Sequence, residues 1–368
     1  MTTRLELFIG GQRRSPRTDR YLDVWDPATG GVLAQVPLCG TEDAHEAVAA
    51  AAAAFEPWAE TPVPERARVM FRLQALIQRD LDHLATLIVQ ENGKALDEAR
   101  GEVRRGLEVV EFAAGMPSLM MGNGLEQVAR GVDTDMYRYP VGVVAGITPF
   151  NFPVMIPLWM APIAIAAGNT FVLTPSQRTP LSAMRLAELF SEAGLPDGVF
   201  NVVHGAEDAA NALIDHPAVK AVSFVGSELQ EGARLVVDGR EPSVRTGFFV
   251  GPTILDHVHP EMSIAQEEIF GPVLVVERVP DLETAIQVIN RSRFGNAAVI
   301  YTGSGLAART FRRRVHAGMI GVNVGVPAPM AFFPFAGWKN SFFGDLHATG
   351  RDAVEFFTER KVITSRWY

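Results

Sequence analysis

Cysteine is nearly missing from this chain: one residue, Cys39, stands among 368. A lone thiol permits no intrachain disulfide and no thiolate cluster around a metal. Positive charge is short as well, with 33 Lys and Arg against 42 Asp and Glu and a net charge of −9. A nucleic-acid partner requires a basic field to meet its phosphates, so that class of function is excluded. The opening residues Met1-Thr2-Thr3-Arg4-Leu5-Glu6 hold no basic region running into an apolar one. The expectation is therefore a cytoplasmic protein. The longest apolar region, 141–173, is interrupted by Pro149, Asn151, Pro153, Pro157 and Pro162. These breaks argue against a membrane span and for a buried helix between core strands. The chain does have 48% hydrophobic and 20% charged residues, a globular balance. Its length calls for two or more domains.

The stretch 141–227 carries the strongest pattern. Apolar strand-like runs at 141–147, 170–173, 199–203 and 220–225 alternate with helical runs reaching Ala167, over 180–193 and over 208–215. Such alternation predicts βαβ units on a parallel sheet, whose ligands sit at the carboxyl ends of the strands. Upstream, 5–9, 21–25 and 32–36 read as strands of one small antiparallel meander with Gly-rich turns. Thr41 is the expected N-cap of a helix through the alanine tract 49–54. Pro64 opens a second helix, apolar positions from Leu84 continue a similar face, and 96–114 is a third long amphipathic pattern.

Downstream of Ser227 the texture changes. Strands are expected at 248–255, 273–276, 297–301 and 319–324, with a short apolar run at 233–237. Helices are expected at 282–290 and 306–315. The segments 354–357 and 361–367 have edge-strand character and could pair with another subunit. His257-Val258-His259 places two imidazoles on one strand face, but no third ligand is evident, so no metal site is expected. Arg104 and Arg105 could face a substrate carboxylate, although two arginines on an exposed helix are usually solvated.

Several strings are specific together. Thr148-Pro149-Phe150-Asn151-Phe152-Pro153, Phe224-Val225-Gly226-Ser227 and Glu267-Glu268-Ile269-Phe270-Gly271-Pro272-Val273 resemble the aldehyde dehydrogenase superfamily. The string Pro334-Phe335-Ala336-Gly337-Trp338-Lys339-Asn340-Ser341-Phe342-Phe343-Gly344-Asp345-Leu346-His347 narrows this. With Arg138-Tyr139-Pro140 and Ser118-Leu119-Met120-Met121-Gly122, it is similar to the methylmalonate-semialdehyde dehydrogenases of the CoA-acylating type. The resemblance implies an α/β fold with an incomplete Rossmann-type parallel sheet, a truncated α/β catalytic domain and a small β oligomerisation element. Its expected parts are 1–129 (N-terminal strands and helical layer), 130–140 (linker and oligomerisation strand) and 141–227 (nucleotide-binding repeats). The remnant of the catalytic domain spans 228–353, and 354–368 is the C-terminal oligomerisation strand.

The resemblance also implies a chemistry. In that family NAD accepts hydride from a thiohemiacetal on a catalytic cysteine, and CoA takes the acyl group, as in valine or inositol catabolism. Small semialdehydes are the substrates, and homo-oligomers the usual assembly. Asn151 would be the side-chain oxyanion donor. Thr148 and Phe150 would lie against the cofactor, Gly226 and Ser227 would meet the pyrophosphate, and Glu268 with Phe270 would hold the nicotinamide ribose. Thr174, Gln177 and Arg178 occupy the segment that meets the adenosine ribose.

Three departures accompany the likeness. Ser227 is followed after Glu228-Leu229-Gln230 by Glu231-Gly232-Ala233-Arg234, where the family has a long segment with the cysteine loop. Thr174 and Gln177 replace a lysine and a glutamate, so weakened NAD binding is expected. Ala336 replaces a glycine. The expectation is a chain that does not catalyse the family reaction alone. The alternatives are a non-catalytic pseudoenzyme and an interaction partner of an intact homologue.

Overall fold

In the first βα units the strands are apolar on both faces because helices cover both sides of a parallel sheet. The structure, a computed structural model, describes residues 2–225, 246–249, 251, 253–258 and 261–367. It divides into one unit of Met1–Gly226, Met330–Phe333 and Ala348–Tyr368 and a second of Ser227–Pro329 and Pro334–His347.

The first unit begins with β1 (Leu7–Ile9), β2 (Gln12–Arg14), β3 (Tyr21–Asp26) and β4 (Gly31–Pro37). A helical layer follows: α1 (Thr41–Glu60), α2 (Val63–Arg79), α3 (Leu81–Asn92), α4 (Leu96–Ala114) and α5 (Met116–Leu119). Then come β5 (Asn123–Ala129), β6 (Val132–Pro140), β7 (Val143–Ile147), α6 (Met155–Ala167), β8 (Thr170–Thr174) and α7 (Leu181–Glu192). β9 (Phe200–Val202), α8 (Glu207–Ile214) and β10 (Val219–Phe224) close the series. The sheet order is β10-β7-β8-β9-β1-β2, with β10, β7, β8 and β9 parallel. Four parallel strands alternating with helices are what the sequence predicts for 141–225.

α6 is apolar almost all round and buried along nearly its whole length, as a helix sandwiched inside a core must be. Its terminal carbonyls are satisfied by the helical layer. Trp58 Nε1 donates to Ile165 O at 2.9 Å, and Arg66, itself buried, donates from Nε to Ala166 O at 3.0 Å. Gly168, at φ 107, ends the helix in the left-handed region where glycine is favoured. Among the described residues no helix is long and apolar enough to cross a membrane.

The second unit contains β11 (Thr253–Leu255), α9 (Ser263–Gln266), β12 (Val273–Val275), α10 (Leu282–Arg291), β13 (Phe294–Gly295) and β14 (Ala297–Ile300). α11 (Gly305–Arg314), β15 (Met319–Val322) and β16 (Trp338–Lys339) complete it. Its strands pair two by two, β11 with β12, β13 with β16 and β14 with β15. A small core of Ile286, Phe311, Val315 and Ala317 holds α10 and α11 together. Asp281 and Ser304 cap these helices by accepting from Thr284 N and Ala307 N. Back in the first unit, α12 (Gly350–Phe356) leads into β17 (Thr358–Arg366), which joins β6 and β5 in a three-stranded antiparallel sheet.

Four expectations are corrected. Residues 354–357 are not an edge strand: Val354 to Phe356 complete α12, burying Ala353 and Val354 on a helical face. The strand that follows is an edge strand, as expected, pairing on one side with β6 from Thr358↔Pro140 to Arg366↔Val132. The N-terminal meander is split, because β1 adds antiparallel to β9 of the main sheet while β3 and β4 form a separate hairpin. Thr41 is the first helical residue and not the cap; Gly40 takes the N-cap position, with no side-chain bond. The strand expected at 248–255 starts at Thr253, Phe248 and Phe249 lying outside it. The run expected at 233–237 lies outside the described residues.

Candidate active-site scaffold

Strand β7 delivers the turn 148–153 at its carboxyl end, next to the end of β8. Register pairs Ile147 with Thr174, and Thr148 N donates to Thr174 O at 3.1 Å. Gly146 allows this close packing, since a Cβ there would stand 2.4 Å from the Phe171 ring. The turn is then fixed from the helical layer. Asn92 Nδ2 donates to Phe150 O at 2.9 Å, and Lys94 Nζ donates to Asn151 O at 2.8 Å. Lys94 also pairs with Glu102 Oε2 at 2.5 Å and stands 4.3 Å from the Phe152 ring centre.

The other oxygen of Glu102 accepts from Val154 N at 2.9 Å and Met155 N at 3.2 Å. A carboxylate at these buried N–H groups at the start of α6 satisfies donors that no helix can satisfy internally. Glu91, fully buried, does the same for α7, accepting from Leu181 N at 2.7 Å, from Ser182 N at 3.1 Å and from the Ser182 hydroxyl. Burial pushes its carboxyl up to about 7 against those hydrogen bonds. Asn92, Lys94, Glu102 and Glu91 were not singled out by sequence reasoning. A buried-spacing signal existed for Glu91 and Glu102, both charged residues on faces otherwise apolar at helical period.

Thr148, Phe150, Asn151, Thr174, Gln177 and Arg178 are thus gathered at the ends of β7 and β8. The Oδ1 of Asn151 and the Oγ1 of Thr174 are buried without a hydrogen-bond partner. Buried polar atoms are almost always paired, so an orphaned pair here marks a place where polar groups meet something beyond the protein's own bonds. Gln177 is half-buried, and the exposed Arg178 holds its guanidinium 4.9 Å from the Phe150 ring centre. Gly226 and Ser227 lie outside the described residues. Glu268 and Phe270 belong to the second unit, on the exposed loop before β12, where Phe270 is 63% exposed.

Cys39 is elsewhere. It lies between β4 and α1, bridges in parallel fashion to Gly205 and is 2% exposed. Burial, and then the negative charge of Asp43, push its thiol well above the ordinary range.

A parallel sheet with helices packed on it, its first strands ending in a turn of buried polar groups, is the architecture of an open α/β fold whose ligands sit at the carboxyl ends of the strands. The chain belongs to the aldehyde dehydrogenase family: the model named "Aldehyde dehydrogenase family" matches residues 14–229 and 228–363. It is 45% identical to the malonate-semialdehyde dehydrogenase of Halalkalibacterium halodurans over 477 positions, covering 99% of this chain and 98% of that protein. Malonate-semialdehyde dehydrogenase 2 of Geobacillus kaustophilus is similar at 45% identity over 477 positions, covering 99% of each chain. Among solved structures, methylmalonate-semialdehyde dehydrogenase from Oceanimonas doudoroffii superposes with a TM-score of 0.94 at 37% identity, covering 100% of this chain and 99% of that one. A Sinorhizobium meliloti protein solved in complex with NAD does so at 0.94 and 35%, with 100% and 99% covered. The two family matches meet at 228–229, and the alignments run over 477 positions against 368 residues in this chain. The relatives therefore hold a stretch that this sequence lacks, consistent with a deletion at the place where the motifs jump.

Proposed function

We propose that this chain is a non-catalytic member of the aldehyde dehydrogenase family, descended from a CoA-acylating oxidation of malonate or methylmalonate semialdehyde. The observation that carries this reading is Cys39. Acyl transfer through a thiohemiacetal needs a thiolate, and reactive thiolates sit in electropositive, partly exposed surroundings. The one cysteine in the sequence is buried beside Asp43, which favours the inert thiol. Asn151, the family's oxyanion donor by position, keeps its place on a well-held turn, but a donor without a nucleophile stabilises nothing.

The chemistry at the end of β8 also supports poor binding of NAD. Thr174 presents a buried hydroxyl, and Thr174-Pro175-Ser176-Gln177-Arg178 contains no carboxylate to accept a hydrogen bond from a ribose 2′-hydroxyl. The ribose end of the site does not fit NAD. The test is direct: the purified chain is given malonate semialdehyde or methylmalonate semialdehyde with NAD and CoA, and absorbance from NADH is followed. No turnover above a protein-free control is expected. Sustained turnover abolished by Asn151→Ala would overturn the reading.

A second reading, pairing with an intact homologue, rests on β10. Among the described residues this strand is the edge of the main sheet, and Phe224 and Val225 at its end are 52% and 37% exposed. Unpaired strand edges with apolar side chains recruit other chains. Co-purification with a full-length relative decides it.

A further inference from the structure

We propose that His45 and His216 form a pH-sensitive latch: as neutral imidazoles they hold the turn between α8 and β10 against α1, and on acidification they release it. The two rings meet edge to face, with centroids 4.7 Å apart and planes at 83°. His45 stands exposed near the start of α1, and His216 is half-buried just past the end of α8. Beside the rings the helices share one apolar core, in which Ala44, Ala47, Val48 and Ala51 meet Ala212 and Leu213. The turn they close controls the entry to β10. Val219 N donates to His216 O at 3.0 Å, and the ladder with β7 slips between Val219 and Ala221. Among the described residues β7 is the one strand beside β10, so the amino end of β10 relies on this turn more than on a regular ladder.

The turn depends on the neutral form of His216. Its Nδ1 accepts from Ala218 N at 3.1 Å, which leaves the ring proton on Nε2. An imidazolium carries hydrogen on both nitrogens, so protonation removes this acceptor, and a second proton on His45 adds like-charge repulsion. Burial first, and then the neighbouring His45, lower the basicity of His216. The charged groups around the pair compensate little. On α1, Glu42 and Glu46 are drawn to Arg17 at 3.6 and 2.6 Å, and Asp43 accepts from Arg17 N. On α8, Glu207 and Asp208 sit in the first turn, away from the His216 end, and Asp215 after it is exposed to solvent. On β10, Lys220 is a further cation, tied to Pro217 O at 3.0 Å, and β7 carries no charge. A histidine held below its ordinary 6.5 contributes closure that is present above that pH and lost as pH falls below it.

The latch is a property of the fold and holds whether or not the chain turns over. Hydrogen exchange of the full chain is followed by mass spectrometry at pH 7.5 and 5.5 and corrected for the intrinsic rates, so that protection reports local opening. Protection of peptides covering 207–220 should fall by about tenfold, the limit for one imidazole over one pH unit below its ordinary value, with α2 unchanged. His216→Asn supplies Ala218 N with an acceptor that does not titrate and should abolish the fall. His45→Phe keeps a ring and removes the second charge, and should reduce the fall to about threefold. Circular dichroism at pH 7.5 checks the fold of each variant, and either variant alone tests the latch. Unchanged protection of 207–220 in the unmodified chain overturns the proposal, as does a fall shared equally by α2. A fall that persists in His216→Asn belongs to another group, such as the buried His204, and overturns it too. The full fall in His45→Phe removes His45 from the latch and likewise refutes the pair.

Discussion

Replacing Lys94 by methionine tests whether the turn 148–153 is held by a buried charge pair. The Glu102 side chain is 1% exposed and that of Lys94 14%. The carboxylate takes hydrogen bonds from Lys94 Nζ, Val154 N and Met155 N. Removing one partner of a buried pair costs about 3–5 kcal/mol, because the other charge is left without compensation. Here two helix N–H groups still face the carboxylate, which places Lys94→Met near the lower end, at about 3 kcal/mol. Glu102→Gln keeps the shape and Lys94 keeps Asn151 O, so about 2 kcal/mol is expected. The double variant should cost less than the sum by at least about 1 kcal/mol, since the lost charges compensate one another. Urea unfolding measures all four corners of the cycle through the midpoint at constant slope. A cost below about 0.5 kcal/mol for Lys94→Met, the range of an ordinary surface change, would refute the reasoning. So would strict additivity in the cycle.

Two further outcomes follow from titrating groups. Glu91 is raised to about 7 and His204, fully buried, is lowered by burial to about 4. Glu91 contributes stability that is present below its ordinary range and lost as pH rises through 7; His204 contributes stability present above 6.5 and lost as pH falls toward 4. Between pH 7 and 4.5 the two oppose each other, each by about 3 kcal/mol at most. Glu91→Gln should therefore reveal a melting temperature that drops on acidification, and His204→Gln one that rises; a flat profile in both variants refutes the assignment. Glu355 is held down to about 2 by Arg138 first and then by Arg360. Its contribution is present at neutral pH and lost as pH falls through 2, so Glu355→Gln should cost about 1 kcal/mol at pH 7 and little at pH 2, read by urea midpoints.

The parallel strands were legible because burial on both faces leaves a plain mark, uninterrupted apolar residues between turn signals. β7 and β8 match their predicted positions for that reason. β2 left no such mark: Gln12, Arg13 and Arg14 are all exposed and form a strand by pairing with β1 across a glycine turn. The C-terminal error has a similar origin. Val354, Phe356 and Phe357 have strand-like propensity, and the burial of Ala353 and Val354 against the first unit's core makes the segment helical. Of the candidate site, the turn was readable as a motif. The groups that hold it, Asn92, Lys94 and Glu102, lie some fifty residues upstream, and their partners are mostly main-chain atoms that have no signature in sequence.

Scaffold and chemistry separate cleanly in this chain because they depend on different lengths of sequence. The parallel sheet, the capped α6 and the Lys94–Glu102 pair draw on residues 58–224, all present. A nucleophile depends on one residue in one electrostatic setting, and the cysteine that exists is buried beside Asp43 where burial favours the thiol. A fold preserves what its packing over-determines; a reaction is lost with a single group. That asymmetry is what the proposed loss of acyl transfer requires of a chain that matches a relative in structure at a TM-score of 0.94. It also directs attention to what a scaffold without a nucleophile can still do. The orphaned polar atoms of Asn151 and Thr174 are binding chemistry, and binding needs no thiolate.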